Sequence, residues 1–322
     1  MDADGASSAD EAVAAKHWPG PTIDRVVTKD GLSIRRGRWQ ARSPSRGIAL
    51  LMSGRTEFME KYAETAADLT HRGYDVVGWD WRGQGLSDGR PPSNPSMGHV
   101  TDFSGYLADV ATVVDSIDKS AIRIVLGHSM GGHMALRAVA AGLIAPPSMV
   151  LSAPMVGLRP VAGVPVRLIA AMARLMVAIG RGSTYPPGQS DGSAPKRQTF
   201  DGNCLTSDPL RFAVQSKWTD HNPGLTVGGP SWAWFLAAYR SCRLLSQPES
   251  IAKLTMPVTI VQAGQEELVD NAAQDRLVDK LGNARLVRID EARHEILMER
   301  DALRDRFWEA FDATADMIAN AS

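Results

Sequence analysis

Short apolar runs alternate along this chain with longer segments of helical spacing. Val26-Val27 and Ile34 flank Asp30-Gly31, a turn signal that predicts an opening β-hairpin. Gly47 to Met52 is an apolar run, and Glu60 to Arg72 has helical spacing with Gly73 as its stop. Asp75 to Trp79 reads as a strand, Phe103 to Ile117 as a helix and Ile122 to Leu126 as a strand. Met130 to Ala141 is a helix ended by Gly142, followed by the strand Met149-Val150-Leu151. Strands separated by helices in this rhythm predict an α/β fold, a mostly parallel sheet flanked by helices on both faces.

The rhythm stops near Ala153. From there to about Pro248 the chain is rich in proline, glycine and tryptophan, with no clear strand and with Tyr185 to Gly192 as a central loop. It resumes with a strand at Val258 to Val261, a helix at Asn271 to Leu281 and a strand at Arg285 to Ile289. A long helix from Glu295 onward ends it. The expected organisation is a flexible N-terminal segment (1–22), a core (23–152 and 249–322) and a helical cap insertion (153–248). Placed late in the sheet, that insertion would lie over the C-terminal ends of the strands, where ligands bind in such folds.

Composition narrows the function classes. The 322 residues are 44% hydrophobic and 22% charged, as in an ordinary globular protein. A net charge of -1 offers no electrostatic case for nucleic acid as a partner. The two cysteines, Cys204 and Cys242, match no zinc spacing and suit a reducing compartment better than a disulfide framework. The acidic, small-residue start lacks the basic and apolar regions of a signal peptide, so a cytoplasmic protein is expected. Val161 to Gly180 is largely apolar, but Pro165, Arg167 and Arg174 argue against a spanning helix.

The chemistry begins at Gly127-His128-Ser129-Met130-Gly131-Gly132. A serine hydroxyl needs a base to become a nucleophile, and Gly-x-Ser-x-Gly projects it on a sharp strand-to-helix turn. The pattern alone is weak, because Gly188-Gln189-Ser190-Asp191-Gly192 matches it too. Setting separates the two. Ser129 follows an apolar strand and opens a helix, whereas Ser190 lies between Pro186-Pro187 and Pro195 with neither. Ser129 is the expected nucleophile of an α/β-hydrolase fold. The amide of Met130 and an amide from the turn Ser53-Gly54-Arg55-Thr56-Glu57, at Arg55, are the expected oxyanion donors.

Of seven histidines, His294 alone follows the final strand with room for an acid before it, as the order Ser, Asp or Glu, His requires. His128 is expected to point away from the reactive face of Ser129. The acid should follow strand Val258 to Gln262. Spacing favours Glu266 just past the strand end, with Asp270 as the alternative, although Asp270 also suits a helix N-cap.

These residues sit in longer motifs: Gly54-Arg55-Thr56-Glu57-Phe58-Met59-Glu60-Lys61-Tyr62, Asp80-Trp81-Arg82-Gly83-Gln84-Gly85-Leu86-Ser87, Leu205-Thr206-Ser207-Asp208-Pro209, Val269-Asp270-Asn271 and Ala292-Arg293-His294-Glu295. From about Arg25 to Phe311 the chain resembles the bacterial lysophospholipase and monoacylglycerol lipase branch of the α/β hydrolases, often labelled serine-aminopeptidase-like. The resemblance implies Ser129 as nucleophile, His294 as base, Glu266 as acid, and Arg55 and Met130 as oxyanion donors. It also implies a lipid-ester substrate, and no metal or organic cofactor. Two positions depart from the pattern. Ser53-Gly54 stands where many relatives have His-Gly, and Glu266 stands where Asp is commoner. Asp80 and Arg82 read as loop-fixing residues beside the site.

Substrate class has little further support in the sequence. Arg167, Arg174 and Arg181 recur every seven residues beside Leu168, Ile169, Met172, Leu175, Met176 and Ile179. This is either a basic amphipathic helix able to contact anionic lipid from the cap or a lid helix with a solvated arginine face. Trp218, Trp232, Trp234 and Phe235 fit an acyl pocket or the cap's own core. The expected reaction is hydrolysis of a single-chain lipid ester. A small-ester esterase, an aminopeptidase using Glu249 or Asp220 to hold an amine, and a silent ligand-binding protein remain alternatives. Oligomeric state is left open.

Overall fold

The computed structural model describes residues 20–160, 163–192 and 199–319. Most of the segment 1–22, expected to be flexible, therefore lies outside the described residues, and the first strand begins at Thr22. Eight strands form one sheet: β1 (Thr22–Val27), β2 (Ser33–Trp39), β3 (Ile48–Met52), β4 (Asp75–Trp79), β5 (Ile122–His128), β6 (Ser148–Ser152), β7 (Val258–Ala263) and β8 (Ala284–Ile289). Their order is β1-β2-β4-β3-β5-β6-β7-β8. The opening hairpin forms as the Asp30-Gly31 signal predicts, and β2 pairs antiparallel with β4. Every pairing from β4 to β8 is parallel.

Side chains alternate across the central strands, so each strand feeds two cores. Leu50, Met52, Val77, Trp79, Met149 and Leu151 face one apolar layer. Ala49, Leu51, Val76, Ile124, Leu126 and Val150 face the other. Helices α1 (Ala63–His71), α2 (Ser104–Asp115) and α3 (Met130–Ala140) follow the early strands. Between β6 and β7 come α4 (Val166–Ala178), α5 (Pro209–His221) and α6 (Trp232–Leu245). Then α7 (Asn271–Lys280) and α8 (Asp301–Ala319) complete the chain.

The helix expected from Glu60 begins as a 3₁₀ turn at Met59–Tyr62, and a larger boundary difference lies near the end of the chain. The last long helix starts at Asp301, not Glu295; Ile296–Met298 form a single 3₁₀ turn. The interruption has a cause. Glu299 is extended and buried, and its carboxylate accepts the amides of Arg293 and Ser207 at 2.8 and 2.9 Å. Holding the loop that carries His294 takes precedence over continuing a helix. Cys204 and Cys242 are buried and not joined to each other.

Candidate active site

β5 ends in the centre of the sheet and turns directly into α3, with Ser129 at the turn. Ser129 has φ 50° and ψ -114°, a conformation that non-glycine residues seldom adopt. Three backbone bonds hold it. Its amide donates to the Ser152 carbonyl at 3.0 Å, and its carbonyl accepts the amides of His133 and Met155. The flanking glycines are required by close approach. A Cβ on Gly127 would lie 2.7 Å from the Cα of Gly132, and one on Gly131 would collide with the carbonyl of Met52.

The structure brings Ser129 and His294 together across the chain, with Oγ of the serine 3.0 Å from Nε2 of the imidazole. On the other side of the ring, Nδ1 lies 2.7 Å from Oε2 of Glu266. All three residues are buried. The other oxygen of Glu266 accepts the amides of Leu268 and Val269 at 2.6 and 3.2 Å, and Arg159 holds the Glu266 carbonyl. Burial pushes the Glu266 carboxyl up. The facing His294 and the two amides outweigh that and keep it below the usual glutamate value. Among the described residues Asp270 meets no histidine. It caps α7 by accepting the amide of Ala272 at 3.0 Å, and it pairs with Arg276.

Arg55 and Met130 line the same 150 Å³ cavity as Ser129 and His294. Met130 opens α3, where a helix leaves its first amides without internal acceptors. The turn bearing Arg55 is fixed on several sides. The indole of Trp81 donates to the Ser53 carbonyl at 2.9 Å, the Gly54 amide donates to Glu57, and the Thr56 amide donates to Gln84. Asp80 accepts the amides of Met59 and Leu86 at 2.9 Å each and pairs with Arg35, while Arg82 reaches Asp30 and Asp109. Asp80 and Arg82 thus tie loops around the site, as read from sequence.

Three features take places at the site that the sequence did not indicate. His128 does not turn away from the site; its ring lies 4.9 Å from that of His294 and lines the cavity. Burial lowers its pKa to about 4, so it is neutral near pH 7. Beneath the cavity, the buried Lys61 ammonium donates to Glu57 at 2.8 Å, Glu295 at 2.7 Å and Gln215 at 3.1 Å. Burial works against its charge, but Glu295 and Glu57 raise its pKa above the ordinary lysine value. The i,i+4 spacing of Glu57 and Lys61 was visible in sequence; their convergence with Glu295 was not. Finally, the segment before α5 holds the histidine loop. The amides of His294 and Glu295 donate to the carbonyls of Cys204 and Leu205, and Thr206 donates to the Met298 carbonyl at 2.6 Å.

The aromatic candidates separate. Trp234 lines the cavity, with the Arg55 guanidinium over its ring at 5.3 Å. Trp232 packs against Ala173 and Leu236, Phe235 packs against that cluster, and Trp218 is 40% exposed. Asp220 and Glu249 are exposed and do not line the cavity. Ser190 is exposed in a loop without strand or helix.

Residues 43–301 match the family described as serine aminopeptidase, S33. The chain belongs to this family. It is 32% identical over 268 residues to "Probable lysophospholipase L2" of Haemophilus influenzae, covering 82% of each chain. It is 31% identical over 210 residues to lysophospholipase L2 of Escherichia coli K12, covering 64% of this chain and 59% of that one. The fold matches a soluble variant of monoglyceride lipase from Saccharomyces cerevisiae, solved with a substrate analog. That match has a TM-score of 0.71 at 20% identity and covers 93% and 95% of the two chains. This S33 chain therefore has the α/β-hydrolase fold.

Proposed function

We propose that this chain is a serine hydrolase that cleaves carboxylic esters of single-chain lipids, a lysophospholipid or a monoacylglycerol, through an acyl-enzyme. The observation that carries the reading is the buried chain of contacts from Ser129 through His294 to Glu266, opening on a cavity. Ser129 Oγ attacks the ester carbonyl as His294 Nε2 takes its proton. Glu266, held ionised by the facing His294 and its two amides, orients the ring and stabilises the imidazolium. The amides of Arg55 and Met130 receive the developing oxyanion. His294 returns the proton to the departing alcohol; water then enters by the same base and releases the fatty acid. The names of the relatives, lysophospholipase and monoglyceride lipase, support the lipid substrate.

An ester suits the cavity better than a peptide with a free amine. Glu57 and Glu295, which line it, are both paired with Lys61, and Glu266 faces His294. Residues 153–248 act in this reading as a cap, since Leu205 and Trp234 wall the cavity. The cap is also the proposed membrane contact. Ile169, Ala170, Ala173 and Met176 turn α4 inward, whereas Leu168, Met172, Leu175 and Ile179 are 48–58% exposed at helical spacing. Arg167 and Arg174 are exposed on the same helix. An exposed apolar stripe beside cations fits an anionic lipid surface. No helix among the described residues is long and apolar enough to cross a membrane.

A fluorophosphonate probe should label the wild type and not Ser129→Ala; labelling that survives the substitution overturns the nucleophile. Turnover of lysophosphatidylcholine, monoacylglycerol, short p-nitrophenyl esters and aminoacyl anilides, measured side by side, should favour the two lipids. Preference for the anilides would sink the substrate assignment. Co-sedimentation with phosphatidylglycerol vesicles should fall in Leu168→Glu/Leu175→Glu, and binding unchanged by it removes the membrane contact.

A further inference from the structure

The cavity at Ser129 holds 150 Å³, below the roughly 300–1,000 Å³ usual for small-molecule sites. A second cavity of 370 Å³ lies beside it, between the loop after β6, α6 and α7. Its apolar wall includes Val156, Leu158, Val166, Leu245 and Leu277. Leu158 lines both cavities. The rest of the partition is thin. Met155 borders the first cavity, and its carbonyl accepts the thiol of Cys242, which borders the second, at 3.5 Å. Val269, paired with Leu158 through an isolated bridge, faces the first cavity, and the next residue, Asp270, faces the second.

We propose that Leu158 is a gate, and that the distal part of the substrate's acyl chain passes it into the second cavity. The inference rests on the lipid-ester reading above. An ester carbonyl seated at Ser129 leaves a long tail with too little room in the first cavity, and apolar surface kept out of water is what holds such a tail. Leu158 is half-buried where the two cavities meet, so its side chain sets how open the passage between them is. At the outer rim stand Arg243, Arg276 and Lys280. Their hydrocarbon stems extend the apolar lining while the charged ends remain in water. Leu158 and the second cavity would together set chain-length preference, and the polar contacts at Ser129 would not.

The test is kcat/KM for p-nitrophenyl esters from short to long acyl chains, in one detergent, for the wild type, Ser246→Trp and Leu158→Ala. Ser246 is exposed and lines the second cavity, so tryptophan there fills the cavity without disturbing a packed core. In Ser246→Trp the long-to-short ratio should fall about tenfold, the worth of roughly two buried methylenes. In Leu158→Ala it should rise, because the gate is removed. Thermal unfolding midpoints verify that each variant is folded. Ratios within about twofold of wild type in both variants, with short esters still cleaved, overturn the gate and leave the hydrolase reading intact. A wild type that cleaves no ester of any length overturns both.

Discussion

The chain contains the Gly-x-Ser-x-Gly pattern three times, at 85–89, 127–131 and 188–192, and the last two copies have little else in common. At 127–131 the pattern joins the central strand to a helix, its glycines are pressed against backbone, and its serine is 8% exposed at a strained φ of 50°. At 188–192 it lies in an exposed loop. A Cβ on Gly188 would touch nothing within 4 Å, and the Ser190 carbonyl accepts the amide of Gly229. Asp191 beside it accepts from Tyr185 and Asn94 at the surface. A glycine in the copy at 127–131 answers to close packing, whereas Gly188 answers to a turn with φ 80°. The lesson is that Gly-x-Ser-x-Gly specifies a nucleophile only where a strand and a helix force the serine outward under strain.

The largest expected effect separates the two serines. Ser129→Ala should lower kcat by about 10⁴–10⁶, whereas Ser190→Ala should stay within about twofold. Equal losses in the two variants would erase the distinction. Next, Glu266→Gln should lower kcat on the order of 10³–10⁴ through loss of imidazole orientation. Asp270→Ala should leave kcat nearly unchanged while costing about 1 kcal/mol of stability in denaturant titration, as loss of a helix cap does. A catalytic loss at Asp270 in place of Glu266 would move the acid.

Acid should weaken the elbow more than the loop. Burial lowers the pKa of His128 to about 4 and of His133 to about 3, both below the ordinary 6.5. Below pH 6.5 the unfolded chain therefore takes up protons that the folded chain refuses. Stability is present above that pH and is lost as pH falls toward the folded values. Between pH 6.5 and 5 the expected loss is about 2 kcal/mol per imidazole, and His133→Gln should flatten the measured pH dependence. An unfolding free energy constant across that range would refute it.

The smallest contrast concerns the first glycine of the copies at 127–131 and 188–192. Gly127→Ala should cost about 1–3 kcal/mol by overpacking and should also lower kcat, because the displaced backbone carries Ser129 with it. Gly188→Ala should cost about 1–2 kcal/mol from its positive φ alone, with kcat unchanged. Paired denaturation and kinetic measurements read the two apart.

Much of the fold was legible because its information is local. Alternation in Leu50-Leu51-Met52 and Val76-Val77, helical spacing before Gly73 and Gly142, and the hairpin signal at Asp30-Gly31 each lie within a few residues. The site was legible where chain order matters: Ser129, then a carboxylate, then His294. Spacing could only rank Glu266 over Asp270, since both follow β7 and the choice depends on which carboxylate a folded loop aims at the imidazole. Helix α4 was harder still. Its apolar residues occupy two faces, and only packing against α6 decides that Ile169 and Met176 turn in while Leu168 and Leu175 remain outside.

The sequence by itself determined the alternating α/β plan, the break between Ala153 and Pro248, and the strand-to-helix setting that distinguishes Ser129 from Ser190. Those features are written in periodicity, turn residues and order, which neighbouring residues specify. Tertiary structure alone decided the contact of Glu266 with His294, the position of His128 against that ring, and the burial of Lys61 between Glu57 and Glu295. It also decided that Leu158 stands between two cavities. Each joins residues far apart in the chain, and their distances are set by how the sheet, the helices and the segment between β6 and β7 pack together.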